Sequence, residues 1–85
     1  MSLETIRKKI DKVDQEIIKL LAKRMELALE SAQYKDKVED SSREEVILKK
    51  LECLAEEMGL SISYLSKVYN IVFEEGKFQQ RQKVK

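Results

Sequence analysis

The sequence contains no proline, histidine or tryptophan, and it has only two glycines and one cysteine. Without histidine, the chain lacks the usual zinc and haem ligands and the base of a histidine-activated nucleophile. Cys53 has no partner for an internal disulfide, and its place in an apolar helical pattern predicts a packing residue in a reducing cytosol. Any catalysis must therefore use Lys, Arg, Glu, Asp or Gln side chains, or the backbone.

The sequence also has no large excess of positive or negative charge. It contains 17 Lys and Arg residues and 16 Asp and Glu residues, for a net charge of +1. This balance provides no overall field that would attract nucleic acid or an acidic membrane. No stretch approaches the ~20 apolar residues of a membrane span, and the first residues lack the apolar run of a signal peptide. We expect a soluble, cytoplasmic protein that binds neither nucleic acid nor membrane.

The composition favours one all-α domain over residues 1–85. Leu, Lys, Glu and Ala are abundant while Gly and Pro are scarce, which is typical of helices joined by few turns. The apolar spacing predicts three helices at about residues 2–37, 42–58 and 61–80, followed by a disordered tail at 81–85. The first helix would be roughly 50 Å long. That is more than a three-helix monomer needs, so we expect much of this helix to pack on a second chain.

Local signals mark the ends of the second and third helices. Ser42 and Glu45 have the spacing of a capping box, which predicts the start of the second helix. Gly59 suits the left-handed position after that helix, and Ser61 is the expected cap of the third.

Three cations interrupt the apolar stripe of the first predicted helix. Arg7, Arg24 and Lys35 share a 3.5-residue seam with apolar residues such as Ile10. A cation that points toward a core is costly unless an anion meets it, so the seam predicts a cavity for a small ligand with at least two negative charges. The alternative is that these long side chains reach water from the stripe or pair with Asp14.

The spacing of the three cations indicates how they would share a ligand. Arg24 and Lys35 are about 16 Å apart along the helix axis on nearly the same face, so both side chains can converge on one compact molecule. Arg7 is about 25 Å from Arg24, which is too far. If all three touch one ligand, Arg7 comes from a second chain, as an antiparallel dimer of long helices would allow.

Four further residues are candidates with simple structural alternatives. Arg43 and Glu44 open the second helix in line with its apolar stripe, although a carboxylate there also stabilises the helix dipole. Gly76 costs about 1 kcal/mol inside a helix, which indicates close approach by a neighbouring helix or a ligand. Gln80 presents an amide one turn later, where a side chain is usually just solvated.

The order and spacing of these residues resemble the all-helical chorismate mutases. The similarity covers nearly the whole chain and is carried by Arg7 within Ile6–Asp14, Arg24 after Leu20-Leu21-Ala22-Lys23, Lys35, Asp40, Arg43-Glu44, Glu74-Glu75-Gly76 and Gln80. Two features differ from the family pattern. The turn before Arg43 is shorter, and Gly76 replaces a polar residue often found at that position.

The resemblance implies an intertwined helical homodimer that converts chorismate to prephenate on the route to phenylalanine and tyrosine, with no metal or cofactor. Arg24 and the Arg7 of the partner chain would bind the two substrate carboxylates. Lys35 and Gln80 would donate to the ether oxygen of the breaking bond.

The same resemblance gives the remaining candidates their roles. Glu44 would hold the substrate hydroxyl, and Arg43 would line the pocket and support the anion. Asp40 would contribute through its backbone, and Gly76 would lie against the substrate.

Two rival functions stay open at the level of sequence. An isochorismate pyruvate lyase shares the fold and the anion-binding cavity but eliminates pyruvate, and the combination of Lys35, Glu44 and Gln80 favours the mutase over it. A helical dimerisation module without catalysis would instead pair its inward cations with acidic residues across a coiled-coil interface.

Overall fold

The computed structural model describes residues 2–34 and 40–84, which form three α-helices and no strand. α1 spans Leu3–Ser31 and leads into a short 3-10 turn, Ala32–Tyr34. α2 spans Ser41–Met58 and α3 spans Ile62–Val84. The predicted all-α class with three helices, one of them very long, is confirmed.

The helix starts follow from capping side chains. The Ser61 hydroxyl accepts a hydrogen bond from the backbone N–H of Tyr64 at 3.3 Å, as the sequence predicts. The predicted capping box of Ser42 and Glu45 is wrong, because Asp40 caps α2 by accepting from the backbone N–H of Arg43 at 3.2 Å. Asp and Ser are similarly good caps, and choosing Asp40 starts the helix one residue earlier than predicted.

The helix ends differ from the sequence predictions in two places. α1 stops at Ser31 and gives way to 3-10 geometry, so the predicted α-helix is wrong for 32–34, and 35–37 lie outside the described residues. The last turn of α1 has no basic residue that would interact favourably with the negative end of the helix dipole. The Ser31 hydroxyl donates a hydrogen bond to the Ala28 carbonyl at 2.8 Å. α3 continues through Val84, so the tail predicted to be disordered is helical there. Arg81 and Lys83 stabilise that end through the helix dipole.

The small core lies where α3 packs against both α1 and α2. Its buried apolar side chains are Leu51, Ala55 and Phe73. Cys53 is exposed, so its predicted packing role is wrong. It is two residues from Leu51, which turns it about 200° around the helix from the buried face.

The amino-terminal part of α1 projects beyond this core. Residues 2–23 are all exposed, and the molecule measures 53 Å along its longest axis. The stripe of this segment includes Ile6, Ile10 and Ile17, which are 43%, 51% and 49% exposed. Within the described residues, the stripe that the sequence predicts to be buried has nothing packed against it.

No helix in the described ranges combines the length and apolar character that a membrane crossing requires. The cytoplasmic location stays a prediction.

Candidate active site

The three helices enclose one side of a cavity of about 370 Å³. It lies between the carboxyl-terminal part of α1, the first turns of α2 and the second half of α3. Six of the candidate residues line it: Arg24, Asp40, Arg43, Glu44, Gly76 and Gln80. The fold therefore brings together side chains that are up to 56 positions apart in the sequence.

Arg24 is held at the cavity wall by aromatic rings. Its guanidinium carbon lies 5.7 Å from the ring centroids of both Tyr69 and Phe73. These two rings meet edge to face with their centroids 6.0 Å apart. Because a guanidinium over a ring face is attracted to the π electrons, the pair orients Arg24 without neutralising it.

Gln80 is buried, with 4% of its surface exposed, rather than solvated. Its side-chain Nε2 donates a 2.7 Å hydrogen bond to the carbonyl of Ala28. That carbonyl belongs to the last turn of α1, where it also accepts from the Ala32 backbone N–H and the Ser31 hydroxyl. The bond therefore fixes the plane of the Gln80 amide at the wall of the cavity.

The start of α2 brings three charged residues to the cavity. Capping by Asp40 begins the helix so that Arg43 and Glu44 fall in its first turn. Within the described part of the chain, neither Arg43 nor Arg24 forms an ion pair. Glu44 does form one, with Lys77 of α3, at 3.3 Å between Oε2 and Nζ.

Gly76 is buried at the cavity wall. A Cβ built at this position would meet no heavy atom within 4 Å among its described neighbours. Of the two expected neighbours, a helix or a ligand, no helix of the described residues approaches Gly76 closely, and Gly76 lines the cavity instead.

Two candidates do not meet the others. Arg7 is on the projecting part of α1, where its guanidinium is 3.9 Å from the Glu4 carboxylate and its side chain is 63% exposed. Seventeen residues of helix separate it from Arg24, or about 25 Å. Lys35 lies outside the described residues.

Sequence reasoning missed Lys77, which also lines the cavity and whose side chain is only 12% exposed. It follows Phe73 by four residues and precedes Gln80 by three, and both of these are buried. Such spacing puts all three on one helix face. This shared helix face was the feature of the sequence that could have identified Lys77 as a cavity residue.

These features define an all-helical protein whose cavity suits a small anion. Three cationic side chains, Arg24, Arg43 and Lys77, outnumber the carboxylates of Asp40 and Glu44, and a rigid amide faces the same space. No covalent nucleophile is needed for such a site to bind and orient a ligand.

Residues 6–81 match the model of the family described as chorismate mutase type II. The chain is 34% identical over 84 residues to the chorismate mutase of Methanocaldococcus jannaschii, covering 94% of this chain and 85% of that protein. The chain belongs to the chorismate mutase type II family and is an isomerase by class.

Longer relatives contain the same region. The bifunctional chorismate mutase/prephenate dehydratase of Buchnera aphidicola subsp. Schizaphis graminum is 32% identical over 83 residues, and that of subsp. Baizongia pistaciae is 34% identical over 88. The matches cover 93% and 99% of this chain but 22% and 24% of those proteins. The chain thus spans less than a quarter of its bifunctional relatives and most of its M. jannaschii relative.

Proposed function

We propose that this protein rearranges chorismate to prephenate within a single bound molecule, as a step in the biosynthesis of aromatic amino acids. The observation that carries the proposal is the cavity in which two arginines without an ion pair among the described residues face a buried, oriented glutamine amide. An intramolecular rearrangement needs a restrained substrate and stabilised charge in the transition state, and this set of side chains can provide both.

Each cavity residue has a role that matches its chemistry. Arg24 binds one substrate carboxylate, since guanidinium and carboxylate form paired hydrogen bonds. Gln80 donates from Nε2 to the ether oxygen as negative charge grows there, and Glu44 accepts from the substrate hydroxyl. Arg43 supports the anionic ligand, and Gly76 leaves room for it.

Asp40 and Lys35 complete the assignment within one chain. Asp40 contacts the substrate region through its backbone while its carboxylate caps α2. Lys35 is the second donor to the ether oxygen, and its role stays a prediction that rests on sequence.

The expected energetics are consistent with this reaction. A preorganised donor aimed at developing charge contributes roughly 3 kcal/mol to transition-state stabilisation. Two such donors and restraint of the substrate amount to a barrier reduction on the order of 8 kcal/mol, or about a millionfold in rate.

We also propose that the active form is a homodimer in which Arg7 of one chain enters the site of the other. The projecting part of α1 carries exposed Ile6, Ile10 and Ile17, and a second copy of α1 would cover them. Arg7 is free to be redirected at little cost, because an exposed ion pair such as that with Glu4 contributes at most about 1 kcal/mol.

Mixing inactive variants tests the substrate and the shared site together. Arg7→Ala and Arg24→Ala should each form folded dimers that lack chorismate mutase activity. After subunit exchange, about half of the dimers contain one chain of each kind, and each of these has one intact site and one doubly defective site. The mixture should therefore recover about a quarter of the activity of the unsubstituted protein.

The matched control mixes Arg24→Ala with Arg43→Ala, which are two changes in the part of the site that one chain supplies. No exchanged dimer then has an intact site, and activity should stay absent. Failure of the Arg7→Ala and Arg24→Ala mixture to recover would place Arg7 in its own chain's site or outside any site. An unsubstituted protein without activity on chorismate would contradict the proposed reaction itself.

A further inference from the structure

Lys77 forms the one contact in the described cavity that joins a cation of α3 to a carboxylate of α2. Its Nζ is 3.3 Å from Oε2 of Glu44, and the two side chains are 12% and 25% exposed. A second carboxylate, that of Glu74, is 3.6 Å from Nζ but its side chain is 76% exposed. The contact with Glu44 is the better shielded from water, so it is the stronger of the two.

Glu44 has other cations within the same cavity. Arg43 is its neighbour in sequence, and Arg24 of α1 lines the same cavity. A carboxylate that paired with either arginine would cancel the positive charge available to an anionic ligand. In the structure Glu44 pairs with Lys77 instead, and neither arginine has an ion pair among the described residues.

We propose that Lys77 is a positioning residue that anchors the Glu44 carboxylate on the α3 wall, which orients Glu44 toward the substrate hydroxyl and keeps Arg24 and Arg43 available for the anionic substrate. This inference rests on the proposed function. Lys77 acts through Glu44, so its effect on turnover disappears when Glu44 can no longer be anchored.

Removal of the ammonium group tests this role. Lys77→Met keeps most of the side-chain volume, and we expect kcat/KM for chorismate to fall about tenfold, within the range of couplings between contacting residues. Lys77→Arg restores a cation and should stay within about threefold of the unsubstituted protein. The control Glu74→Gln removes the charge of an exposed carboxylate that contacts Lys77, and it should change kcat/KM by less than about twofold.

A double-mutant cycle separates positioning from direct contact with the substrate. In a Glu44→Ala background, where position 44 has no side-chain acceptor for Lys77, Lys77→Met should lower kcat/KM by no more than about twofold further. A full tenfold loss in that background would mean that Lys77 binds the substrate itself, and the proposal would be overturned. The proposal would also be overturned if Lys77→Arg lowered kcat/KM as much as Lys77→Met does, or if Glu74→Gln did so.

Circular dichroism and thermal melting establish that each variant is folded. If Lys77→Met is not folded, Lys77→Gln takes its place in the cycle. If the unsubstituted protein converts chorismate and the Lys77 variants have the same kcat/KM, only the proposed role of Lys77 is contradicted. An unsubstituted protein that does not convert chorismate would remove the proposed function and this inference with it.

Discussion

Arg24 and Arg43 line the cavity without an ion pair among the described residues, and their side chains have different surroundings. Arg24 lies against Tyr69 and Phe73, whereas Arg43 is in the exposed first turn of α2. A cation held over aromatic rings keeps its charge and loses side-chain freedom. Less entropy is then lost when an anion binds, which is the advantage of a preorganised site.

Replacing Gly76 by alanine tests whether the space beside this residue is open. Gly76→Ala should raise the free energy of unfolding by about 0.5–1 kcal/mol, because alanine is the better helix former and its Cβ has open space. Urea denaturation of both proteins measures the change. A less stable variant would mean that the space in front of Gly76 is filled in solution.

At the scale of elements, the start of α2 couples fold and site. The Asp40 carboxylate caps the helix whose first turn carries Arg43 and Glu44. The end of α1 is similarly coupled, since the Ala28 carbonyl accepts from Gln80 of α3. Helix ends thus fix the side chains that a ligand would meet.

Two substitutions distinguish the observed cap from the one that the sequence pattern predicts. Asp40→Ala should lower the free energy of unfolding by about 1 kcal/mol, because a backbone N–H of α2 loses its acceptor. Ser42→Ala should change it by less than about 0.5 kcal/mol. Urea denaturation compares the two, and a larger cost for Ser42→Ala would restore the capping box.

The three helices, the end of α2 before Gly59 and the Ser61 cap of α3 could be predicted from the sequence. The end of α1, the start of α2 and the end of α3 could not. Apolar periodicity put Arg24 on the inner side of α1, and the resemblance added Gln80. Which cap starts α2 depends on small differences between Asp40 and nearby serines, which periodicity does not register. The shared face of Lys77, Phe73 and Gln80 could have been read from the sequence, but the ion pair of Lys77 with Glu44 of α2 exists only in the folded chain.

At the scale of the whole molecule, α1 is longer than the core it packs on. Residues 2–23 are exposed, and the buried apolar core of the described residues comprises three side chains. For a chain of 85 residues that buries so little apolar surface, we expect the proposed dimer to supply much of the stability. The projecting stripe is the surface that a second copy would cover.

A charge placed in this stripe should separate the chains. Ile10→Glu should reduce the mass measured by light scattering to that of one chain, 10.0 kDa, and should abolish turnover because Arg7 no longer reaches a site. Gln15→Glu adds the same charge on the opposite side of α1 and should leave both properties unchanged. An Ile10→Glu protein of unaltered mass would show that the stripe is not the dimer interface.

The reaction itself is tested most directly by identifying its product. Purified protein is added to chorismate, and separately to isochorismate, and each mixture is followed by proton NMR beside a protein-free control. We predict prephenate from chorismate at a rate far above the control, and no release of pyruvate from isochorismate. Pyruvate from isochorismate with chorismate left at the control rate would assign the cavity to a lyase, and no turnover of either would contradict an enzymatic role for this fold.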